Sequence, residues 1–441
     1  MIYTMVILIK DLAQHKNETV KIRGWVFNVR SSGKIIFLQV RDGSGFVQAI
    51  VEEKSLRSLH GDKAEAIWDS ASKITLETSV ELIGTVSEHP KKAGEFELHV
   101  SEVKVFQYSP EYTIGKKEHG PDFLLDNRHL WIRSERQWAI LRIRAGIYGY
   151  IEEWLKNNGF TRFDSPILTP SACEGTTTLF GIDYFDLGQA FLSQSGQLYL
   201  EAAIGSLGRV YDFGPVFRAE KSKTRRHLTE FWMMDAEAAF VEHEENMQIQ
   251  EKLVSYVVDK ILKEYKFELS LVERDVAPLE KIKSPFYRMT HKEAVKKLQE
   301  LGSSIEEGSD LGADDETILT NTYDKPIFIE KYPSDVKAFY MKRDPKDPSV
   351  VLCNDLLAPE GYGEIFGGSQ REDNYDELVK RLKEHNLKTE DFQWYLDTRK
   401  FGSVPHSGFG IGLERLVAWI CGLKHVRETI PFPRMITRKT P

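Results

Sequence analysis

Cysteine is scarce in this sequence of 441 residues, which contains only Cys173, Cys353 and Cys421. No two of them form a CxxC pair, and none stands beside a histidine. Disulfide scaffolds and structural zinc sites depend on such pairs or clusters. The sequence therefore argues against both classes, and we expect the three thiols to be small core residues.

Long apolar runs are absent as well. No stretch of eighteen apolar residues occurs, so the sequence predicts no membrane span and no membrane partner. Residues 1–9 lack a basic n-region and a small-residue cleavage site, so we expect a cytoplasmic protein. The net charge of −8 gives no overall basic field, so any binding of nucleic acid would need local basic patches.

The composition itself is that of a globular protein, with 41% hydrophobic and 29% charged residues and enough length for two or three domains. The first domain, residues 1–106, is predicted to be all-β from residue 18 onward. Five short strands are separated by turn signals, and a helical stretch over 55–72 lies between the third and the fourth. This is the order of an oligonucleotide-binding barrel.

The second and third predicted strands carry polar and aromatic side chains. Barrels of this kind stack unpaired bases and contact base edges on these strands. The side chains on or near them are Arg30, Phe37, Gln39, Arg41 and Gln48. The alternative is that Phe37 is simply a core residue, and the pattern alone does not decide between the two.

The remainder divides into a linker and a larger α+β domain. Residues 107–133 contain proline and glycine with little periodicity, and we interpret them as a linker. Residues 134–441 form the second domain, within which 272–326 is predicted to be a peripheral, partly helical insert with a mobile loop. The other predicted elements are helices over 134–159 and 244–265 and strands over 160–168, 326–330, 338–341 and 350–357. Pro166 stands near the middle of its strand, which indicates an edge strand or a subunit contact.

The most informative stretch runs from Val216 to Ala239 and predicts two strands joined by a long basic loop. Its cationic side chains are Arg218, Lys221, Lys223, Arg225, Arg226 and His227. Such a density of donors suits a polyanion such as a nucleotide triphosphate, although a solvated hairpin tip is the commoner explanation of a basic loop. Glu220 and Phe231 at the strand ends favour a nucleotide, because an aromatic ring can stack on a base.

Two further motifs follow near the C-terminus. Asp355 and Glu364 lie on apolar strands, where carboxylates are candidate ligands of a hard cation, or else members of surface salt bridges. Gly408, Gly410 and Gly412 then precede Arg415 on the first turn of a predicted buried helix. A dinucleotide-binding GxGxxG motif is the rival interpretation, but the third glycine is misplaced and no βαβ alternation surrounds it.

Together these motifs resemble a known family. Residues 217–220 and 226–231, with 410–415, resemble motifs two and three of the class II aminoacyl-tRNA synthetases, and Pro166 resembles motif one. The N-terminal barrel narrows the resemblance to the aspartate, asparagine and lysine subgroup. Segments 171–177, 195–198, 367–371 and 404–410 are similar to the asparaginyl-tRNA synthetase family of the bacterial type, over nearly the whole chain.

The resemblance implies a fold class and an activity. The fold would be α+β, with an N-terminal five-stranded oligonucleotide-binding β-barrel followed by a class II antiparallel sheet flanked by helices. The activity would be ATP-dependent conversion of L-asparagine to asparaginyl-adenylate and transfer to the 3′ end of tRNA(Asn), in a homodimer with Mg²⁺. Arg30, Phe37 and Gln48 would bind the anticodon, and Pro166 would lie at the dimer interface.

The resemblance also implies roles around ATP. Arg218 would bind the α-phosphate and the substrate carboxylate, Glu220 and Phe231 the adenine, and Arg226 with His227 the outer phosphates. Arg415 would lie over the adenine and the γ-phosphate, and Glu364 would hold magnesium with Asp355 as second ligand or water anchor. Arg218, Glu364 and Arg415 are the expected catalytic residues. The ATP-binding set would be Arg218, Glu220, Arg226, His227, Leu228, Phe231, Glu364, Gly410, Gly412 and Arg415.

Gly367 departs from the aspartyl enzymes, which have a serine there, so one metal ligand is missing or replaced by water.

The amino-acid site would involve Glu174, Ser195, Gln197, Glu201, Arg218 and Arg371. The aspartyl enzymes carry a lysine at the place of Leu200, so a substrate carboxylate would here face no cation and be costly to bury. An asparagine amide would instead donate to Glu201 while Arg371 meets its carbonyl oxygen.

Three alternatives remain open. One is an aspartyl-tRNA synthetase, including a non-discriminating one. Another is an ATP-dependent asparagine synthetase built on the same catalytic domain. The third, not an enzyme, is a single-strand nucleic-acid-binding protein that uses the barrel.

A Phe37→Ala variant should separate the role of the barrel from that of the catalytic domain. Loss of the ring removes a stacking surface for a base, so binding of tRNA should weaken by about 1–3 kcal/mol. Adenylation without tRNA should be unchanged. Filter binding and pyrophosphate exchange measure the two, and a parallel loss of both would contradict separate roles.

Overall fold

The computed structural model describes residues 5–115, 117–170, 179–222 and 224–441. These fall into two compact units, residues 1–124 and 125–441. None of the helices in this part of the chain is long and apolar enough to cross a membrane.

The first unit contains a closed barrel with strand order β1-β2-β3-β5-β4, which confirms the predicted five strands. Apolar side chains alternate along each strand and fill the interior, as Ile36, Leu38 and Val40 do on β2. Its elements are β1 (Thr19–Ser32), β2 (Ile35–Arg41), β3 (Phe46–Glu52), α1 (Glu53–His60), α2 (Ala64–Ser72), β4 (Ser79–Glu88) and β5 (Phe96–Gln107). The helical stretch predicted between the third and fourth strands is α1 with α2.

The second unit begins with helices and the first strands. The elements of residues 121–264 are α3 (Pro121–Asp126), α4 (Arg128–Trp131), α5 (Glu135–Asn157), β6 (Thr161–Arg162), β7 (Leu168–Thr169), β8 (Gly181–Asp183), β9 (Gln189–Leu192), α6 (Gln197–Leu207), β10 (Arg209–Phe217), β11 (Glu230–Ala239) and α7 (His243–Glu264). Ser134 caps α5, because its Oγ accepts a hydrogen bond from the backbone N–H of Gln137 at 3.4 Å.

The remaining elements complete the sheet and its helices. They are α8 (Lys266–Leu271), α9 (Ala277–Glu280), β12 (Tyr287–Thr290), α10 (His291–Glu300), α11 (Ala313–Thr320), β13 (Ile327–Glu330), β14 (Arg343–Asp344), β15 (Asp347–Val351), β16 (Cys353–Ala358), β17 (Gly363–Gln370), α12 (Tyr375–Glu384), α13 (Gln393–Lys400), β18 (His406–Gly412) and α14 (Leu413–Cys421). Helices α5, α7 and α14 pack their apolar side chains against the sheet in one core.

An eight-stranded sheet organises this unit, in the order β12-β13-β16-β17-β18-β11-β10-β6. Its central pairs are antiparallel, and β10 and β11 form the predicted pair joined by the basic loop, with Phe217 opposite Glu230. Strand β18 continues directly into α14, which places Arg415 in the first turn of a buried helix, as predicted.

Three predicted elements differ in the structure. The strand predicted over 160–168 is interrupted, because Pro166 lies between β6 and β7 and cannot donate a ladder hydrogen bond. Residues 338–341 form a turn, where Phe339 and Tyr340 are buried against α12 and α13 instead of pairing in a sheet. Segment 272–326 is not peripheral, since β12 forms one edge of the central sheet.

Candidate active site

A cavity of about 430 Å³ gathers most of the predicted site residues. Its walls come from the loop between β10 and β11, from β11, β17 and β18, and from the turn at 335–341. The predicted residues that line it are Ser195, Gln197, Arg218, Glu220, Arg226, His227, Leu228, Phe231, Asp355, Glu364, Arg371, Gly410, Gly412 and Arg415. Glu174 lies outside the described residues, and Glu201 is placed behind the lining.

The glycines of β18 make room for carboxylates on the neighbouring strand. Gly410 lies opposite Asp235, and Gly408 lies opposite Glu237. A Cβ atom would stand 2.6 Å from Asp235 Oδ1 at position 410, and 2.0 Å from Glu237 Oε1 at position 408. The two carboxylates therefore lie flat across β18, which only glycine permits, whereas a Cβ at Gly412 would meet open space.

Asp235 organises the start of α6. Its Oδ2 accepts hydrogen bonds from Ser195 Oγ at 2.7 Å and from the backbone N–H of Gly196 at 2.9 Å. Ser195 Oγ in turn accepts from the backbone N–H of Gln197 at 3.1 Å. Asp235 also lines the cavity, so this buried carboxylate holds Ser195 and, through Ser195, Gln197 at the cavity wall.

Glu201 belongs to a buried cluster instead of contacting the cavity. Its carboxylate accepts from Gln197 Nε2 at 3.0 Å, Tyr395 OH at 2.7 Å and Arg399 Nη2, and lies 3.2 Å from His406 Nε2. Burial acts to raise its pKa, but Arg399 and His406 outweigh burial and hold the pKa well below its ordinary value. This ionised carboxylate is already surrounded by donors, so the structure gives it the geometry of a residue that positions Gln197.

Arg371 forms a buried ion pair with Glu237, a partner that the sequence reasoning did not assign. Arg371 Nε lies 3.1 Å from Glu237 Oε1, Nη2 contacts the same oxygen, and Nη1 donates to Ser369 Oγ at 2.6 Å. The nearest oxygen of Glu201 is 4.0 Å away. Arg371 is only 3% exposed and lines the cavity, so it meets a ligand from a fixed position.

The basic loop brings an arginine, an aromatic ring and an imidazole to the cavity. Arg218 lies over the ring of Phe231, with 5.5 Å between the guanidinium carbon and the ring centroid. Its Nε is buried without a hydrogen-bond partner among the described residues, which is the state of a donor placed for a ligand. Burial and the charge of Arg415 lower the pKa of His227, so its imidazole is neutral at pH 7.

At the predicted metal site, each carboxylate is paired with a cationic side chain. Arg415 Nη1 donates to Glu364 Oε2 at 2.8 Å, and Lys337 Nζ donates to Asp355 Oδ2 at 3.0 Å. Burial acts to raise the pKa of Glu364, but Arg415, Lys337 and Arg218 outweigh burial and lower it. Burial raises the pKa of Asp355 to about 6 against the effect of Lys337, so both groups are ionised at neutral pH.

Lys337 corrects one step of the sequence argument. A substrate carboxylate was expected to face no cation, but Lys337 lines the cavity. Its ammonium is engaged by Asp355 and, at 3.3 Å, by Asp310, so its charge is largely balanced. Lys337 was not predicted as a site residue, because it directly precedes the strand predicted at 338–341.

The barrel places its predicted binding residues on one outer face. Phe37 is half-buried between the buried Ile36 and Leu38, lies opposite Arg30 on β1, and is therefore not a core residue. Gln48 is half-buried on β3, opposite Gln39. Arg41 is different, because it forms a buried bidentate ion pair with Glu77 at 2.7 and 2.6 Å.

Comparisons with known proteins agree with this geometry. Residues 120–436 match the family described as tRNA synthetases class II (D, K and N), and residues 20–106 match the OB-fold nucleic acid binding domain. The chain belongs to these class II tRNA synthetases. Within them it belongs to the asparagine–tRNA ligase family, since it is 53% identical to the asparagine–tRNA ligase of Desulforamulus reducens over 98% of this chain and 99% of that protein.

Two solved structures show the same architecture. The asparaginyl-tRNA synthetase of Pyrococcus horikoshii, complexed with asparaginyl-adenylate, has a TM-score of 0.93, 44% identity and full coverage of both chains. The aspartyl-tRNA synthetase of Entamoeba histolytica has a TM-score of 0.82 and 29% identity, covering 99% of this chain and 93% of that one. Both confirm the predicted α+β fold, and the higher identity is with the asparaginyl protein.

Asp212 provides a test of the electrostatics behind the cavity. It lies opposite Asp235 on β10, and burial, followed by the charge of Asp235, raises its pKa from 3.8 to about 8. The carboxyl of Asp212 loses its proton at a lower pH in the unfolded chain than in the folded one. Its contribution therefore lowers the free energy of unfolding progressively as pH rises towards 8. An Asp212→Asn variant has no such proton to lose, and its free energy of unfolding should fall less steeply with pH.

The difference between Asp212→Asn and wild type should grow by up to about 1.4 kcal/mol per pH unit, the value for one proton. Urea unfolding followed by tryptophan fluorescence at several pH values between about 5 and 8 measures it. Asp122→Asn, at an exposed carboxyl on α3, is the control. Equal pH slopes for Asp212→Asn and wild type would contradict the raised pKa.

Proposed function

We propose that the chain activates L-asparagine with ATP to asparaginyl-adenylate and transfers the asparaginyl group to the 3′ end of tRNA(Asn). The observation that carries the proposal is one cavity that combines Arg218, Glu364 and Arg415 with the fixed Arg371–Glu237 pair. The first group suits a nucleotide triphosphate, and the pair suits a small polar side chain. The asparaginyl-tRNA synthetase and asparagine–tRNA ligase relatives support the same activity.

The reaction requires the protein mainly to position the reactants and to stabilise the charge that develops. The carboxylate of asparagine attacks the α-phosphorus in line, a new P–O bond forms, and pyrophosphate leaves with its electron pair. Arg218, whose Nε is buried and has no hydrogen-bond partner in the part of the chain that the structure describes, would stabilise charge on the α-phosphate and orient the attacking carboxylate. A ribose hydroxyl of the tRNA then attacks the carbonyl carbon of the adenylate, and AMP leaves.

Mg²⁺ fits the residues present. Glu364 Oε1 and Asp355 Oδ1 converge, since they lie 3.3 and 3.7 Å from the place of a Cβ on Gly367. No group of three potential protein ligands occurs among the described residues, but magnesium in nucleotide sites is often held by one or two carboxylates together with phosphates. Glu364 and Asp355 would hold the ion, which would neutralise charge on the phosphates.

The charges around Arg371 favour an amide over a carboxylate. Within the described residues, the carboxylates of Glu201, Asp235 and Glu237 are matched by three guanidinium groups, those of Arg371, Arg399 and Arg218. Burial acts to raise the pKa of Glu237, as do the charges of Glu201 and Asp235, while Arg371 acts to lower it through the buried ion pair. A substrate carboxylate would add an uncompensated anion to these balanced charges, whereas an asparagine carbonyl can accept from Arg371 without adding charge.

The alternatives are less well supported. An aspartate-specific site would need a surplus of cations near Arg371, and the cations around it are already balanced by carboxylates. A tRNA-independent asparagine synthetase would have no use for the barrel with Arg30 and Phe37 on one outer face. A protein that only binds nucleic acid would not need the nucleotide cavity.

Other parts of the proposal concern assembly and location. We assign residues 1–106 to anticodon binding, 107–133 to a linker and 134–441 to catalysis. Pro166 lies beside Ile167 and Leu168, which are 43% and 41% exposed, and this apolar segment would contact a second copy in a homodimer. The protein would act in the cytoplasm, where its tRNA is used.

The activity predicts a clear preference in pyrophosphate exchange without tRNA. Wild-type protein with Mg²⁺ should exchange pyrophosphate into ATP with asparagine, and at a rate lower by roughly 10²-fold or more with aspartate. The cause is the added buried anion in the aspartate complex. A reaction without amino acid gives the background, and an Arg218→Ala variant should lose activity with both. Equal rates with aspartate would refute the specificity, and absence of exchange would refute the function.

A further inference from the structure

Arg226 donates from both terminal nitrogens to four acceptors, three of which lie in the segment 272–326. Nη1 donates to the carbonyl oxygen of Ala313 at 3.2 Å and to Glu316 Oε2 at 2.9 Å. Nη2 donates to Thr317 Oγ1 at 2.6 Å and to the carbonyl oxygen of Gly361 at 2.5 Å. An arginine has five N–H donors, so only the one on Nε is not committed here.

Glu316 holds this position through a second set of contacts. Its Oε2 also accepts from the backbone N–H of Glu364 at 3.1 Å, which connects α11 to the strand that bears the predicted metal ligand. Gly363 has a φ of +74°, and a Cβ on it would stand 2.2 Å from Glu316 Oε2 and 2.6 Å from Arg226 Nη1. The side chains of Glu316 and Arg226 are only 14% and 9% exposed. The absence of a side chain at Gly363 therefore gives them the space they occupy.

This geometry does not suit an arginine that binds the outer phosphates. A guanidinium binds phosphate best with two parallel N–H groups, and here both terminal nitrogens are committed to other acceptors. Binding phosphate would break a partly buried ion pair and leave Glu316 beside Glu364 without its cation. His227 and Arg415 line the same cavity and are the better candidates to contact the outer phosphates.

We propose that Glu316 and Thr317 are positioning residues that hold Arg226 as a strut between α11 and the loop joining β10 to β11. The strut keeps Arg218, Glu220 and His227 of that loop against the cavity, so Glu316 and Thr317 of segment 272–326 take part in binding ATP through Arg226. This inference rests on the proposed ATP-dependent activation.

A double-mutant cycle tests the strut in full-length protein. The variants are Glu316→Gln, Thr317→Val, Arg226→Ala and each of the first two combined with the third, all assayed by asparagine-dependent pyrophosphate exchange. Each single variant should raise KM for ATP by roughly tenfold, because one or two supporting hydrogen bonds are lost. KM for asparagine should stay within about two-fold, and the double variants should be little worse than Arg226→Ala alone.

A phosphate-binding role for Arg226 predicts the opposite change in KM for ATP. If Arg226 bound phosphate and were only sequestered by α11, Glu316→Gln and Thr317→Val would lower KM for ATP. Either that decrease, or effects that add fully to those of Arg226→Ala, would overturn the strut. Thr317→Ser keeps the hydroxyl and should retain wild-type KM, which a mere loss of folding in Thr317→Val would not explain.

Controls separate this inference from the function on which it rests. Glu300→Gln, at an exposed position on α10, makes the same chemical change in the same segment and should leave exchange unchanged. Thermal unfolding of each variant shows whether the fold is kept, and if Glu316→Gln does not fold, the Thr317 pair decides. An inactive wild type would refute the proposed function, whereas an active wild type with an insensitive Thr317→Val would refute the strut alone.

Discussion

The buried pair of Arg371 and Glu237 is the interaction on which the amino-acid site depends. Glu237 can lie across β18 only because position 408 is glycine, and Arg371 can line the cavity only because Glu237 balances its charge. Removing one member of such a pair leaves an uncompensated buried charge, which typically costs about 3–5 kcal/mol. Specificity and stability are therefore coupled in the same two side chains.

Around this pair the site is preorganised by two buried carboxylates, of which Asp235 lines the cavity and Glu201 lies behind it. Glu201 holds Gln197, and Asp235 holds Ser195, each through hydrogen bonds of normal length. The guanidinium groups of Arg371, Arg399 and Arg218 already balance the carboxylates of Glu201, Asp235 and Glu237, so a further substrate carboxylate would be an uncompensated buried anion. In the proposed function this difference in charge, and not the width of the pocket, would discriminate between two substrates of nearly the same shape.

Much of the fold and the site could be predicted from sequence, because the informative patterns are local. The barrel follows from alternation such as that of Ile36 and Leu38, and the glycines before Arg415 mark close packing on β18. Partners distant in sequence could not be predicted, since polarity shows that a group needs a partner but not which one. The partners of Glu201, which are Tyr395 and Arg399 on α13, were thus not foreseen.

The same limit explains why a strand was wrongly predicted over 338–341 and why the contact of Glu316 with Arg226 was not predicted. Phe339 and Tyr340 are apolar because they pack on helices, and apolarity alone does not distinguish packing from strand pairing. Glu316 lies in a polar stretch without a recognised motif, and only the folded chain brings it to Arg226.

The most direct test of the account is the affinity of non-hydrolysable sulfamoyl analogues of asparaginyl- and aspartyl-adenylate, measured by calorimetry for wild type and for Glu237→Gln. The glutamine keeps the shape of the side chain and removes one anion beside Arg371. Wild type should bind the asparaginyl analogue far more tightly, and Glu237→Gln should lose most of that preference. A variant that keeps the full preference would contradict selection by buried charge.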